Sequence, residues 1–457
     1  MNPRIDKWLD EHEDELIGSL RESIRIPSVK AEPGMGAPFG DGVKLALTHV
    51  LETAERMGFT TCDMDGYIGL VDYGAGAETL GVMAHLDVVP EGDGWDYNPF
   101  GGELVEGRIL GRGAMDNKGP VFASLYALRA IKECGIPLKR KIRLMLGCDE
   151  ESGWGCMDYY KKNAPLPELA FSPDAEYPVV NSEMGIFHGN YSRAFASKIR
   201  VDAGTRPNVV PGSATAYVPL DALEVCKIAE KYAQRSGYPT HAQQQGNGTL
   251  ITVTGLNAHA SMPHLGKNAL SALLDMLTML PLTGEDAVII SKLNAMFKYE
   301  YHGESMGLDH EDVSGRLTLN IGVMHWDEKG IHEFAIDIRH PISLSCDEVR
   351  QTLSDRLSEV GLTLCEEHVQ NGHYVAPESE LVSKLLDVYA ARTGTRPEPL
   401  RIGGGTYARA MDNAVAFGCE RKGINNAIHM PNEFLTVEQL MDDAKMIADA
   451  MIALAAE

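Results

Sequence analysis

Cations are scarce in this 457-residue chain: 41 Lys plus Arg stand against 65 Asp plus Glu, for a formal charge of −24. That deficit argues against nucleic acid or an anionic membrane surface as partner, since both are bound through basic patches. No run of eighteen apolar residues occurs, so no membrane-spanning helix is expected. The N-terminal stretch MNPRIDKWLDEHEDELIGSLRESIRIPSV lacks the basic start and apolar centre of a secretion signal, and a cytoplasmic location is expected. The eight Cys show no C-x-x-C spacing, which favours buried free thiols over disulfides or a cysteine metal site. A phosphate loop is missing as well. GRGAMDNKGP (111–120) and HLGKNA (264–269) both lack the G-K-[ST] ending, which disfavours nucleotide binding.

What the chain does contain is alternation. TLGVMA (79–84), KIRLMLG (141–147) and ELAFS (168–172) read as buried strands, and PVFASLYALRAIKECG (120–135) reads as a helix. Ile5, Trp8, Leu9, Leu16, Leu20 and Ile24 fit one helical stripe, predicting a single docking helix before Pro27. Between 186 and 375 the texture changes. Strand-like GTLITVTG (248–255), RLTLNIGVM (316–324) and EFAIDIRHP (333–341) bracket a helical stretch at 267–280. The last 80 residues return to α/β texture, and Thr436 with Gln439 has capping-box spacing. The fold class expected is α/β: a split catalytic domain, 1–185 and 376–457, with a mixed sheet flanked by helices, interrupted by an inserted α+β lid domain at 186–375.

Polar residues gather where the apolar runs stop, and ligands in α/β sheets collect beyond the carboxyl ends of strands. His85 and Asp87 follow the first run and, at a period of two, point the same way. They read either as a metal ligand with its carboxylate partner or as a structural pair. Asp149, Glu150 and Glu151 follow the second run, although adjacent carboxylates repel and resist desolvation. Asp116 lies in a Gly-rich turn, where it could equally complement a helix N-terminus. Asp174 follows the third run and could be a turn residue; His429 precedes Pro431 in AIHMPNEF. Together these positions offer two imidazoles and at least three carboxylates, a donor set suited to a pair of divalent metals.

HLDVVPEGDGW, GRGAMDNKGP, DEESG, SPDAEYP, GLNAHASMPHLGKNA, DIRHP, GGGTYAR and AIHMPNEF follow one another from residue 85 to 434. In that order they resemble the M20 family of metallopeptidases, and within it the PepV-like bacterial dipeptidases. The resemblance implies that Asp116 bridges two divalent metal ions, one also held by His85 and Asp174, the other by Glu151 and His429. It implies Glu150 as general base, Asp87 as the residue orienting His85, and a cis peptide at Asp116–Asn117. From the lid, His259 would stabilise the oxyanion and Asn208 and Arg339 would hold the substrate's carboxylate, joined by backbone donors of the Gly403–Gly404–Gly405 loop. Asp149 has no implied role; it reads as supporting the site or as solvated. The expected cofactors are two divalent ions, Zn²⁺ first, with Mn²⁺ or Co²⁺ as alternatives. The expected activity is hydrolysis of free dipeptides by a monomer, and the alternative is an N-acyl amino acid amidohydrolase of the deacetylase or desuccinylase type.

Overall fold

The computed structural model describes residues 1–456, which divide into two compact units. The first comprises Met1–Ser182, Val375–Leu400 and Gly405–Glu457; the second comprises Glu183–Tyr374 and Arg401–Gly404. Arg401–Gly404 thus groups with the second unit, whereas the sequence reading places it in the first.

In the first unit the apolar runs pair into a mixed sheet. Six neighbouring strands of this nine-stranded sheet lie in the order Thr60–Met64, Ile68–Tyr73, Lys141–Gly147, Thr79–His85, Leu169–Ser172 and Ala414–Ala416. The last four run parallel to one another, and the first two join antiparallel. Parallel strands are buried on both faces, which is why 79–85 and 141–147 read as nearly unbroken apolar runs. Helix Lys118–Glu133 is buried along most of its length and belongs to the same core as helix Val437–Ala455. Thr436 and Gln439 form the anticipated capping box on the latter.

The N-terminal stripe corrects one expectation. It forms two helices, Pro3–Glu11 and Glu13–Ile24, broken at His12. The His12 ring stacks on Trp8 at 3.7 Å and its Nδ1 meets the Trp8 carbonyl at 2.7 Å. Its backbone N–H bonds Leu9 O, a 3₁₀-type closure that ends the first helix. The apolar face survives the break, with Ile5, Leu9, Leu16, Leu20 and Ile24 all buried.

In the second unit an eight-stranded antiparallel sheet runs in the order 240–245, 248–254, 213–218, 200–203, 318–327, 330–340, 185–194 and 363–370. Helices Ala222–Ser236, Ala269–Leu277, Glu285–Phe297 and Cys346–Ser358 contribute buried residues to its separate core. All eight Cys are free, but only Cys148, Cys156, Cys346 and Cys419 are buried. No helix among the described residues is long and apolar enough to cross a membrane.

Candidate active site

Because strands 79–85, 141–147 and 169–172 run parallel, their carboxyl ends emerge at one edge of the sheet. His85 closes the first, Glu150 and Glu151 lie just beyond the second, and Asp174 lies just beyond the third. Asp116 and His429 arrive from loops. The result is two groups of potential ligand atoms, each group within 4.8 Å, sharing Asp116: His85–Asp116–Asp174 and Asp116–Glu151–His429. His85 Nε2 lies 3.0 Å from Asp116 Oδ1 and 3.5 Å from Asp174 Oδ2. His429 Nε2 lies 2.8 Å from Asp116 Oδ2 and 3.1 Å from Glu151 Oε2. The five residues anticipated as ligands therefore converge, and the Asp116–Asn117 peptide is cis. Asp116, Glu151, Asp174 and His429 line a cavity of about 220 Å³ together with Glu150, and His85 is buried behind them.

The His85 ring reveals what this arrangement can hold. Its Nδ1 lies 2.9 Å from the Asp87 carbonyl oxygen, which can only accept, so Nδ1 carries a proton. In the neutral ring Nε2 is then a lone pair, aimed at two carboxylate oxygens. Lone pair against carboxylates is repulsive unless a proton or a metal cation stands between them. One imidazole nitrogen with two carboxylates in each group is a donor set that fits a divalent metal.

Electrostatics agree. Burial works against Asp116, yet hydrogen bonds from His429 and His85 hold its carboxyl below the usual range. Burial alone would depress His85, but the Asp174 charge, the hydrogen bond to Asp116 and the nearby Asp87 carboxylate raise it well above an ordinary imidazole. Hydrogen bonds to Asp116 and Glu151 push His429 up to about 10. Burial, reinforced by the Asp116 and Glu151 charges, lifts Asp174 to about 7. Glu150 is likewise raised by burial and by Asp174, Glu151 and Asp116. Negative charge here exceeds what the side-chain cations balance.

The supporting residues explain how adjacent carboxylates are tolerated. The Asp87 carboxylate accepts the backbone N–H groups of Glu150 and Glu151, each at 3.1 Å. It stands 3.6 Å from His85 Nδ1, so the closer partner of that ring is the backbone carbonyl of residue 87. Asp149 is neither a ligand nor solvated. It is buried and accepts from Lys30 at 2.6 Å, Ser152 Oγ at 2.7 Å and Gly155 N at 3.0 Å, stapling the turn that presents its two neighbours.

Glu433, which the sequence reading did not single out, does the same for Asp116. Fully buried, it accepts from Arg112 at 2.7 Å and from the backbone of Gly113, Met115 and Asp116 at 3.2, 2.9 and 3.1 Å. Four residues earlier the chain passes through His429, whose backbone is left-handed at φ 59°. The loop bearing one ligand thus fixes the loop bearing the shared one. Asn117 Nδ2 adds a 2.8 Å bond to Asp174 Oδ1. Tyr407 is buried edge-on to His85, and a Cβ on Gly147 would stand 2.1 Å from its hydroxyl, so any side chain at 147 would have to displace the ring. The signal for these residues lay in charges and a tyrosine flanked by Gly and apolar residues, but their partners are far away in the chain.

In the second unit, His259 Nδ1 accepts from Ser261 N–H at 3.2 Å, which leaves Nε2–H as a donor. Partial desolvation, then the Arg339 charge, lower the pKa of this ring. The segments carrying Asn208 and His259 pair through Ala260 N and Asn208 O at 2.9 Å. Asn320 holds the Asn208 loop through Pro207 O and Val209 O at 2.9 and 3.1 Å. Arg339 is buried rather than a surface charge. Its Nε and Nη2 fork onto Asp337, both at 2.9 Å, and Nη1 donates to Gly403 O at 2.7 Å. Three of its five N–H donors are committed, so a ligand could engage only the other two. Gly403 presents an acceptor to Arg339; Gly404 has open space where a Cβ would stand.

Comparison with known proteins follows the same lines. The chain is 35% identical over 454 residues to the Bacillus subtilis (strain 168) protein named "Putative dipeptidase YtjP", covering 97% of each. Its fold matches human carnosine dipeptidase 1 with a TM-score of 0.59 at 16% identity, covering 98% of each chain. It also matches the aminoacylhistidine dipeptidase of Vibrio alginolyticus with a TM-score of 0.58 at 15% identity, covering 97% of each. The family model described as peptidase family M20/M25/M40 matches residues 81–453, and the chain belongs to that family of metal-dependent hydrolases.

Proposed function

We propose that this chain hydrolyses the peptide bond of free dipeptides, using two divalent cations held by His85, Asp116, Asp174, Glu151 and His429. The observation that carries the reading is the pair of ligand groups sharing Asp116, with a protonated Nδ1 turning the His85 lone pair inward. Bound cations would supply Lewis-acid polarisation and more acidic water; Zn²⁺ is the first expectation, with Mn²⁺ or Co²⁺ as alternatives.

The remaining steps belong to the chain's own residues. Glu150, outside both ligand groups and half-buried on the cavity wall, takes the proton of the attacking water and returns it to the leaving amine. Asp87 fixes the turn from which Glu150 projects. His259 donates Nε2–H to the developing oxyanion. Asn208, the two uncommitted donors of Arg339 and the backbone at Gly404 receive the substrate carboxylate. A monomer is the expected state.

The test is a substrate panel on chelated protein reloaded with Zn²⁺, Mn²⁺ or Co²⁺: dipeptides, a tripeptide and acetylated amino acids. Dipeptides are expected to turn over fastest. Turnover confined to acetylated amino acids would replace this reading with the amidohydrolase one. Glu150→Ala should abolish turnover while metal content stays near two per chain; retained turnover would remove Glu150 as base.

A further inference from the structure

Three polar residues stand in one row across the sheet of the second unit. Asn320, Asp337 and His188 are register partners on the neighbouring strands 318–327, 330–340 and 185–194. Asn320 and Asp337 are buried, and His188 is partly so. Each of the buried pair carries one residue of the carboxylate subsite. Asn320 holds the loop of Asn208, and Asp337 holds Arg339, two positions along the strand and on the same face.

His188 completes the row. Its Nε2 lies 2.6 Å from Asp337 Oδ2, and an ionised carboxylate only accepts, so Nε2 carries the proton and donates it. The same Oδ2 accepts from Arg339 Nη2, while Oδ1 accepts from Arg339 Nε, both at 2.9 Å. Burial opposes ionisation of Asp337, but the His188 bond and the Arg339 charge hold its carboxyl below the usual range. Asp337 and Arg339 are only two residues apart, so by themselves they would hang from a single strand and could swing together. His188 ties the pair to strand 185–194, and Gly403 O, 2.7 Å from Nη1, ties it to a third segment. Arg339 is 4% exposed, yet one N–H on each Nη is uncommitted. Buried donors without an acceptor are costly, which points them at a ligand oxygen.

We propose that His188 and Asp337 are positioning residues of the carboxylate subsite: His188 locks Asp337, and Asp337 fixes the guanidinium so that the two spare donors of Arg339 meet the α-carboxylate of the substrate. This rests on the dipeptide reading above and adds to it the device that holds Arg339 ready. A guanidinium held at three points has little freedom left to lose on binding, so the gain appears as affinity for the free acid.

The test compares alanyl-alanine with alanyl-alaninamide, which lacks the carboxylate, on the metal-loaded wild type, His188→Phe and His188→Gln. Phe keeps a ring and removes the donor; Gln keeps a side-chain N–H. For His188→Phe the KM for alanyl-alanine should rise about ten-fold, the lower end of the range for losing a hydrogen bond to a charged group, with little change in kcat. The KM for the amide should stay put, and His188→Gln should recover most of the loss. Asp337→Asn leaves the Arg339 fork one acceptor short and should raise the same KM further, up to about a hundred-fold. Calorimetric titration of both compounds into metal-loaded Glu150→Ala, with and without His188→Phe, reads the same preference without turnover. Unfolded protein would lower kcat for both compounds and leave both KM values in place, so the KM ratio separates lost recognition from lost folding. An unchanged KM for alanyl-alanine, or an equal rise for both compounds, would overturn the role of His188 while dipeptide hydrolysis by the wild type stood. A wild type that cleaves no dipeptide would overturn the underlying reading instead.

Discussion

Replacing Asp87 by Asn keeps the shape of the side chain and changes one oxygen into an amide, which makes it a sharp probe of how the site is built. The Asp87 carboxylate accepts two backbone N–H groups, from Glu150 and Glu151, each at 3.1 Å, and it is almost completely buried. Asn can accept one of them. Its NH₂ would face the other donor, leaving that N–H buried and unpaired. A hydrogen bond to a charged acceptor contributes about 1.5–3 kcal/mol. If that loss falls on the placement of Glu150, turnover should drop about ten- to hundred-fold. The His85 ring should be largely unaffected, because its 2.9 Å partner is the main-chain carbonyl of residue 87, which the substitution leaves in place. The expected result is normal metal content by elemental analysis and a depressed kcat in a dipeptide assay. A variant that loses about half its metal, with each fully loaded site as active as wild type, would show that the carboxylate acts on His85 instead.

Two further outcomes follow from the same geometry. Chelated protein should lose stability as pH rises: Asp174, raised from 3.8 to about 7, and His429, raised from 6.5 to about 10, each favour the folded state only while protonated. The Asp174 contribution fades between those two pH values and the His429 contribution between pH 6.5 and about 10. Denaturation midpoints of chelated and metal-loaded protein across pH 5–10 should therefore diverge, and parallel curves would contradict the assignment. Gly147→Ala should cost about 1–3 kcal/mol by driving a methyl into the Tyr407 hydroxyl and should tilt the ring beside His85. An unchanged denaturation midpoint and unchanged metal affinity would mean that Tyr407 can move aside.

The catalytic half of the fold was legible because its strands are buried on both faces and announce themselves as short apolar runs. Strand ends 85, 147 and 172 then locate His85, Glu150, Glu151 and Asp174 almost without further information. Pairings across long separations were not legible. Glu433 reads as one more acidic residue in an acidic chain until Arg112 and three backbone amides are seen around it, 317 to 321 positions away. Asp149 shows the same gap at shorter range, since only folding brings Lys30 to it across 119 positions. Arg339 was anticipated as a fork for a carboxylate, but Asp337, two residues earlier on the same strand, already fills that fork. Strand alternation places both side chains on one face, so the pairing was available from spacing alone. The break at His12 was hidden for the opposite reason: the helical stripe continues through it, because both helices bury the same face.

His85 shows why residue identity can suggest a site while the backbone decides its chemistry. A His two positions before an Asp suggests that the acid orients the base, and side-chain chemistry alone offers no other partner. In the folded chain, the turn after strand 79–85 brings the carbonyl of residue 87 within 2.9 Å of Nδ1, while the carboxylate of the same residue reaches across to strand 141–147 and ties down the turn after it. One residue thereby sets the tautomer of a ligand through its main chain and the placement of the proposed base through its side chain. Any residue at 87 preserves the first role, and only an acceptor with two free oxygens preserves the second. The acid at this position therefore answers the demands of Glu150 and Glu151 as well as those of the histidine beside it, 3.6 Å from its carboxylate.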